Sequence, residues 1–219
     1  MVLIHKLIRV ALATMSDLKN FTEHSYKYFA VATALWFCIA FVLLHIVRND
    51  LSWLNTTLSI YAVGPAGWLL TLGFYSLATN QLLISFRLIR LGNSMGDRMA
   101  VAVLALAATG ALLVAWFPYT VKIPHNTGAA MQLLLFPLFL WFRILLHRDD
   151  VLRGFSIGIA ILCSIGVSLL LLRGLDIYTS ISLGLVEKSM IVCIATWLLC
   201  YSWQLPDSGA ANPSSVEGE

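Results

Sequence analysis

Six stretches of this chain are each long and apolar enough to cross a lipid bilayer, and no other feature of the sequence restricts the fold as strongly. They are residues 28–47, 63–86, 98–117, 127–146, 154–172 and 183–204. A spanning helix needs about 20 mainly apolar residues, because each adds 1.5 Å along the axis. Backbone amides and carbonyls find no partners in hydrocarbon, so such stretches must bond within themselves as α-helices. Composition points the same way: 59% of the 219 residues are apolar and 11% charged. A soluble domain carries roughly 45–50% apolar and about 25% charged residues. Disorder, collagen-like repeats and a cytosolic enzyme are excluded. The net charge of +3 is too small for a nucleic-acid binder.

The expected fold is therefore all-α, a polytopic transmembrane bundle of six helices joined by short loops. Lys and Arg near the span ends set its orientation. Lys6, Arg9, Lys19, Lys27, Arg87, Arg90, Arg98, Arg143, Arg148 and Arg153 fall on one side; Arg48, Lys122 and Arg173 fall on the other. That bias predicts both termini in the cytoplasm of a multi-pass cell-membrane protein, the bacterial inner membrane being the expected site. Residues 1–27 read as an amphipathic interfacial segment in which His5 and Arg9 share a helical face. Translation from Met15 is the alternative, and a signal peptide fits less well for want of a small-residue cleavage pattern. Residues 205–219 are acidic and rich in Ser, Gly and Pro, as a disordered tail is. Gly96-Asp97, Asn126-Thr127 and Asp149-Asp150 are expected to cap the third, fourth and fifth spans.

Polar chemistry gathers in the outer connections. The first holds Ser59 and Tyr61, the second His125, the third Arg173, with Glu187 and Lys188 just inside the last span. Ser59, Tyr61, His125, Arg173, Glu187 and Lys188 are expected to converge in the outer third of the bundle. Three helix N-termini point there and favour an anion. Glu187 lies below the interface, where a charge needs a partner; Arg173 is the first candidate and His125 the second. The site would take a lipid headgroup or a small polar or anionic amphiphile, making membrane lipids the expected partners. The alternatives are a membrane-embedded enzyme using His125 and Glu187 as acid and base, and a small transporter. Plain capping and snorkelling at the interface stand beside all three.

No cofactor is expected. Cys38, Cys163, Cys193 and Cys200 lie in apolar runs without C-x-x-C spacing, as packing residues do. His24, His45, His125 and His147 flank two spans, but each pair is about 32 Å apart at 1.5 Å per residue, at the membrane edges and away from the core where a bundle holds haem. Gly154 and Gly158 form a G-x-x-x-G face suited to a helix partner or a homo-oligomer. Asn80, Gln81 and Gln132 are placed to hydrogen-bond between helices, and Pro137 to kink the fourth span.

Several strings resemble one family. Ser59-Ile-Tyr61 with Gly64-Pro-Ala-Gly67-Trp68 is similar to its S-x-Y…G-x-x-G-W segment. Trp116-Phe117-Pro118 with His125 and Ala129-Ala130 resembles its F-P…H…A-A segment, and Gly184-Leu185-Val186-Glu187-Lys188 with Trp197 its G-L-x-[EQ]-R…W ending. The family is domain of unknown function 998, six-helix membrane proteins found mostly in prokaryotes, and the resemblance spans roughly residues 28–204. It implies the architecture and an outer-facing site, but no reaction. Two departures stand out: Tyr119 and Thr120 follow Phe-Pro where the family often has Asp, and Lys188 replaces Arg.

Overall fold

The computed structural model describes residues 2–64, 66–92, 94–147, 150–177, 180 and 182–204, with side chains from residue 25 onward. It is all-helical: α1 (Val2–Val47), α2 (Leu58–Tyr61), α3 (Gly67–Leu91), α4 (Met95–Trp116), α5 (Lys122–Leu146), α6 (Arg153–Gly174) and α7 (Leu183–Gln204). Six of these are long and apolar enough to span a membrane, beginning with Ser25–Val47 of α1. α2 is a single turn in the loop between the first two spans. α1 runs unbroken through the boundary expected at residue 27. The side chains that would define an interfacial segment at its start, and the tail 205–219, lie outside the described residues.

The six long helices form a ring in chain order. α1 packs on α3, α3 on α4, α4 on α5, α5 on α6, α6 on α7, and α7 closes the ring against α1. The α4–α5 seam is the tightest. A Cβ at Gly110 would stand 2.6 Å from the carbonyl oxygen of Gly128, and one at Gly128 equally close to that of Gly110. Only glycine permits that approach. At Gly154 and Gly158 a Cβ would meet nothing within 4 Å, so the G-x-x-x-G face is not a contact within the described chain.

Two polar ties fasten the apolar interior. Asn80 on α3 donates to the Ala30 carbonyl of α1 at 2.6 Å and to Ser202 Oγ of α7 at 3.0 Å. Trp197, 1% exposed, stands edge-on to Phe136 and Phe139, stacks on Tyr201, and donates its indole N–H to Ser156 Oγ at 2.9 Å. It serves as the central core residue of α7 and does not belong to an interfacial belt. The four cysteines are free thiols.

The caps differ from expectation in two places. Ser94 caps α4, and Asp97 is its reciprocal partner inside the first turn, completing a capping box. α5 starts at Lys122, because Pro124 sits in the first turn where its missing N–H costs nothing. Asn126 and Thr127 are therefore inside the helix and do not cap it. Pro137 lies within α5, which continues through it. Asp150 does serve α6, its Oδ1 accepting the Leu152 N–H at 2.9 Å.

Candidate functional site at the α2 end

α2 and the nearby ends of α5 and α7 bring five of the six expected residues into two adjoining clusters. The first is a serine–histidine pair. Phe117 ends α4, and Pro118, lacking an N–H, prevents its continuation. The chain turns through a Val121 N–H to Pro118 carbonyl bond of 2.8 Å and enters α5 with His125 in its first turn. His125 is 2% exposed. Its Nδ1 is 2.8 Å from the Phe117 carbonyl, and its Nε2 is 2.8 Å from Ser59 Oγ. A carbonyl can only accept, so Nδ1 carries the hydrogen. Nε2 is then the acceptor in the neutral ring, and the Ser59 hydroxyl donates to it. Tyr119 packs edge-on against the imidazole at 5.7 Å.

The second cluster docks α7 onto the first loop. Thr57 provides no side-chain cap for α2. Glu187 supplies one from across the bundle, Oε2 accepting the Leu58 N–H at 3.1 Å. Lys188 is 2% exposed; its Nζ donates to the Trp53 carbonyl at 2.6 Å and to Tyr61 Oη at 3.4 Å, above the Tyr61 ring at 4.5 Å. Ser182 Oγ donates to the Leu54 carbonyl. A Cβ on Gly184 would stand 2.5 Å from the Thr56 carbonyl oxygen, so glycine lets α7 approach the loop backbone. The Gly-Leu-Val-Glu-Lys string is thus a docking device: the glycine gives clearance, the acid caps α2, and the lysine ties down Trp53 and Tyr61. Burial holds the Tyr61 phenol above its ordinary range, so it stays protonated. On the other side of α2, Gly64 adopts φ +126° against the Arg48 guanidinium, which donates to the Val63 carbonyl at 2.5 Å.

Arg173 lies in the last turn of α6, where its carbonyl accepts the Asp176 N–H. Among the described residues no ion pair joins it to Glu187. The expected pairing is replaced by the Leu58 amide, because α7 turns Glu187 toward α2. His125 and Glu187 are not bonded either; Ser59 lies between their two networks.

Ser59 and Glu187 line one narrow cavity, walled by Phe74, Val114 and Ile191 and floored by Gln132. Its volume, about 10 Å³, is the space of a single water centre. Gln132 is 1% exposed, and among the described residues both its amide oxygen and its nitrogen lack a partner. From sequence it was readable only as an inter-helix hydrogen bonder; nothing in its neighbours reveals that α4 and α7 offer it no partner. The cavity wall carries a carboxylate and no cation, since Lys188 faces Trp53 and Lys122 is exposed. It therefore suits a hydrogen-bond donor or a mixed polar group better than the anion that the helix ends alone favour. Of the other histidines, His45 bonds the Phe41 carbonyl through Nδ1 at 2.7 Å, with its Nε2 buried and unpartnered among the described residues, and His147 bonds Asp97 at 2.7 Å. The side chain of His24 lies outside the described residues.

A closed ring of six apolar helices with polar clusters at its ends defines a multi-pass α-helical membrane protein. The family model for proteins of unknown function DUF998 matches residues 31–204. The chain belongs to that family. No curated protein and no solved structure matches it.

Proposed function

We propose that this protein is a membrane receptor or accessory protein that takes the polar end of a membrane amphiphile into the Ser59–Gln132–Glu187 cavity. The Lys and Arg bias supports an outward-facing cavity. The observation that carries the reading is Gln132. A buried amide with no partner costs about 1–3 kcal/mol, and a ligand ammonium donating to Gln132 Oε1, Ser59 Oγ and Glu187 would recover part of that. The cavity's size favours one small polar group entering at a time over a whole phosphate head. α2, a single turn, is the element that would move to admit it.

The test compares the full chain in native-lipid nanodiscs with the same chain stripped of lipid in detergent. Stripping should lower the Tm of the wild type by about 4 °C or more, the shift expected of a bound ligand worth roughly 1–2 kcal/mol. Gln132→Leu, which removes the unsatisfied amide, should lose at most half as much. Equal losses in both proteins would overturn the reading.

One observation favours a second reading. Ser59 donating to a histidine whose other nitrogen is fixed on a carbonyl is the arrangement of an activated serine nucleophile. A fluorophosphonate probe decides between the two. Labelling abolished by both Ser59→Ala and His125→Ala would establish a serine hydrolase or transferase; an unlabelled chain leaves Ser59 as a binding group.

A further inference from the structure

The opposite end of the ring holds a much larger opening. It is a pocket of about 580 Å³ between the ends of α3, α4, α5 and α7, and no family motif falls on it. Its polar wall consists of Asp97, Arg143, His147, Asp150, Tyr201 and Gln204, and Leu88 and Leu146 are among its apolar residues.

Hydrogen-bonding capacity in that wall is unevenly used. Each carboxylate oxygen already accepts a bond. Asp97 Oδ2 takes the Ser94 hydroxyl at 2.7 Å, and Oδ1 takes His147 Nε2 at 2.7 Å. Asp150 Oδ1 takes the Leu152 amide at 2.9 Å, and Oδ2 takes Arg143 Nη2 at 2.8 Å. Donors remain. Among the described residues Arg143 bonds through Nη2 alone, which leaves the Nη1 hydrogens for the pocket; its Nε is buried away from the opening. The Tyr201 hydroxyl, whose ring lies 5.8 Å from the Arg143 guanidinium, makes no hydrogen bond among them. Both carboxylates already accept bonds from within the protein, whereas Arg143 and Tyr201 hold donors with no partner among the described residues, so these two side chains can serve an acceptor on a ligand. A guanidinium and a phenol are a phosphate-binding set. The leucines beside them suit hydrocarbon, and the volume exceeds what inorganic phosphate needs.

We propose that this pocket binds a glycerophospholipid, its phosphate on Arg143 and Tyr201 and the start of its acyl chains against Leu88 and Leu146. It is a separate site from the α2-end cavity, on the side the charge bias assigns to the cytoplasm.

The delipidated full chain is titrated in detergent with dioleoylphosphatidylglycerol, with dioleoylglycerol, which has the same chains and no phosphate, and with inorganic phosphate; native mass spectrometry counts the bound molecules. The phospholipid should bind at one saturable site, and the other two should not fill it at the same concentration. Arg143→Gln should weaken binding at least about tenfold, the scale of one charge-assisted hydrogen-bond set, and Tyr201→Phe about threefold. Because Arg143→Gln leaves Asp150 unpaired, Arg143→Gln with Asp150→Asn provides a neutral variant that keeps the fold and loses the same binding. Wild-type affinity in that double variant would overturn the proposal. Equal binding of dioleoylglycerol would reduce the pocket to apolar filling, and saturation by inorganic phosphate would make it a small-anion site; either result also overturns it.

Discussion

The two ends of the ring handle polarity in opposite ways. At the α2 end Ser59, His125, Glu187 and Lys188 are drawn into a dense set of hydrogen bonds, and the space left over is about 10 Å³. At the other end the Arg143–Asp150 ion pair and the His147–Asp97 hydrogen bond stand around a pocket of about 580 Å³. The α2 end is fastened by neutral backbone groups from distant loops, so its polar residues hold the fold together. The far end is fastened by side-chain bonds to two carboxylates whose partners lie close in the chain or on an adjacent helix, which leaves room between them. Polarity used to close a structure and polarity used to line an opening thus coexist at the two mouths of one bundle.

That contrast can be broken by substitution. Lys188→Ala should be the most damaging change, costing about 3 kcal/mol, because it empties a buried volume and strips Trp53 and Tyr61 of their common donor. Arg143→Ala, at the open pocket, should cost about 1–2 kcal/mol. Denaturation of the full chain in the same detergent measures both, and equal costs would erase the difference between the ends. His125→Ala should come next at the α2 end, at about 2 kcal/mol, since it removes the partners of Ser59 and of the Phe117 carbonyl together. Glu187→Gln should cost less than His125→Ala, because the amide oxygen still accepts from Leu58. A larger loss would mean that the charge itself is needed there. Asp97→Asn should cost about 1 kcal/mol, the worth of a capping box, with α4 fraying first in hydrogen exchange.

The smallest effect concerns Asp50, on the exposed loop beside α2. The hydrogen bond from Arg48 holds its carboxyl below the usual range. A depressed carboxylate adds stability above its unfolded pKa, about 4, and loses it as the pH falls through the folded value. Asp50→Asn should remove that increment at neutral pH, a small loss because the pair is exposed, and make no difference well below pH of about 4, so that the acid limb flattens from above. A change at neutral pH comparable to that of His125→Ala would mean that Arg48 anchors Gly64 and Val63 only when paired.

How much of this was legible in the chain follows from which interactions are local. The spans were, because hydropathy is a property of consecutive residues; the last, 183–204, has the observed bounds of α7. The gathering of Ser59, His125, Glu187 and Lys188 near one end was legible too, since short loops leave little freedom. Which of them touch was not. Whether Glu187 meets Arg173 or the Leu58 amide depends on the rotation of α7 about its axis, and an apolar helix with no strong polar face does not declare that rotation. The far pocket was hidden for another reason. Arg143 reads as a count on the positive side and Asp150 as a cap, and only the side-by-side ends of α3, α4, α5 and α7 show them enclosing a space. Gln132 is the extreme case, since its importance is a missing partner, which no single sequence displays.

Closure of the ring by α7 also has a meaning for biogenesis. α7, which leaves the ribosome after the other five spans, carries Glu187, Lys188, Trp197 and Ser202, the partners of Leu58, Trp53, Ser156 and Asn80. Until it inserts, the indole's acceptor on α6 and the amide of Asn80 on α3 face hydrocarbon half-satisfied, and α2 has no cap. Insertion of the earlier helices can proceed one at a time, but the α2-end site comes into being in a single late event. A nascent chain stalled before residue 183 would be a five-helix arc with an open side, the kind of intermediate that membrane quality control recognises by its exposed polar groups.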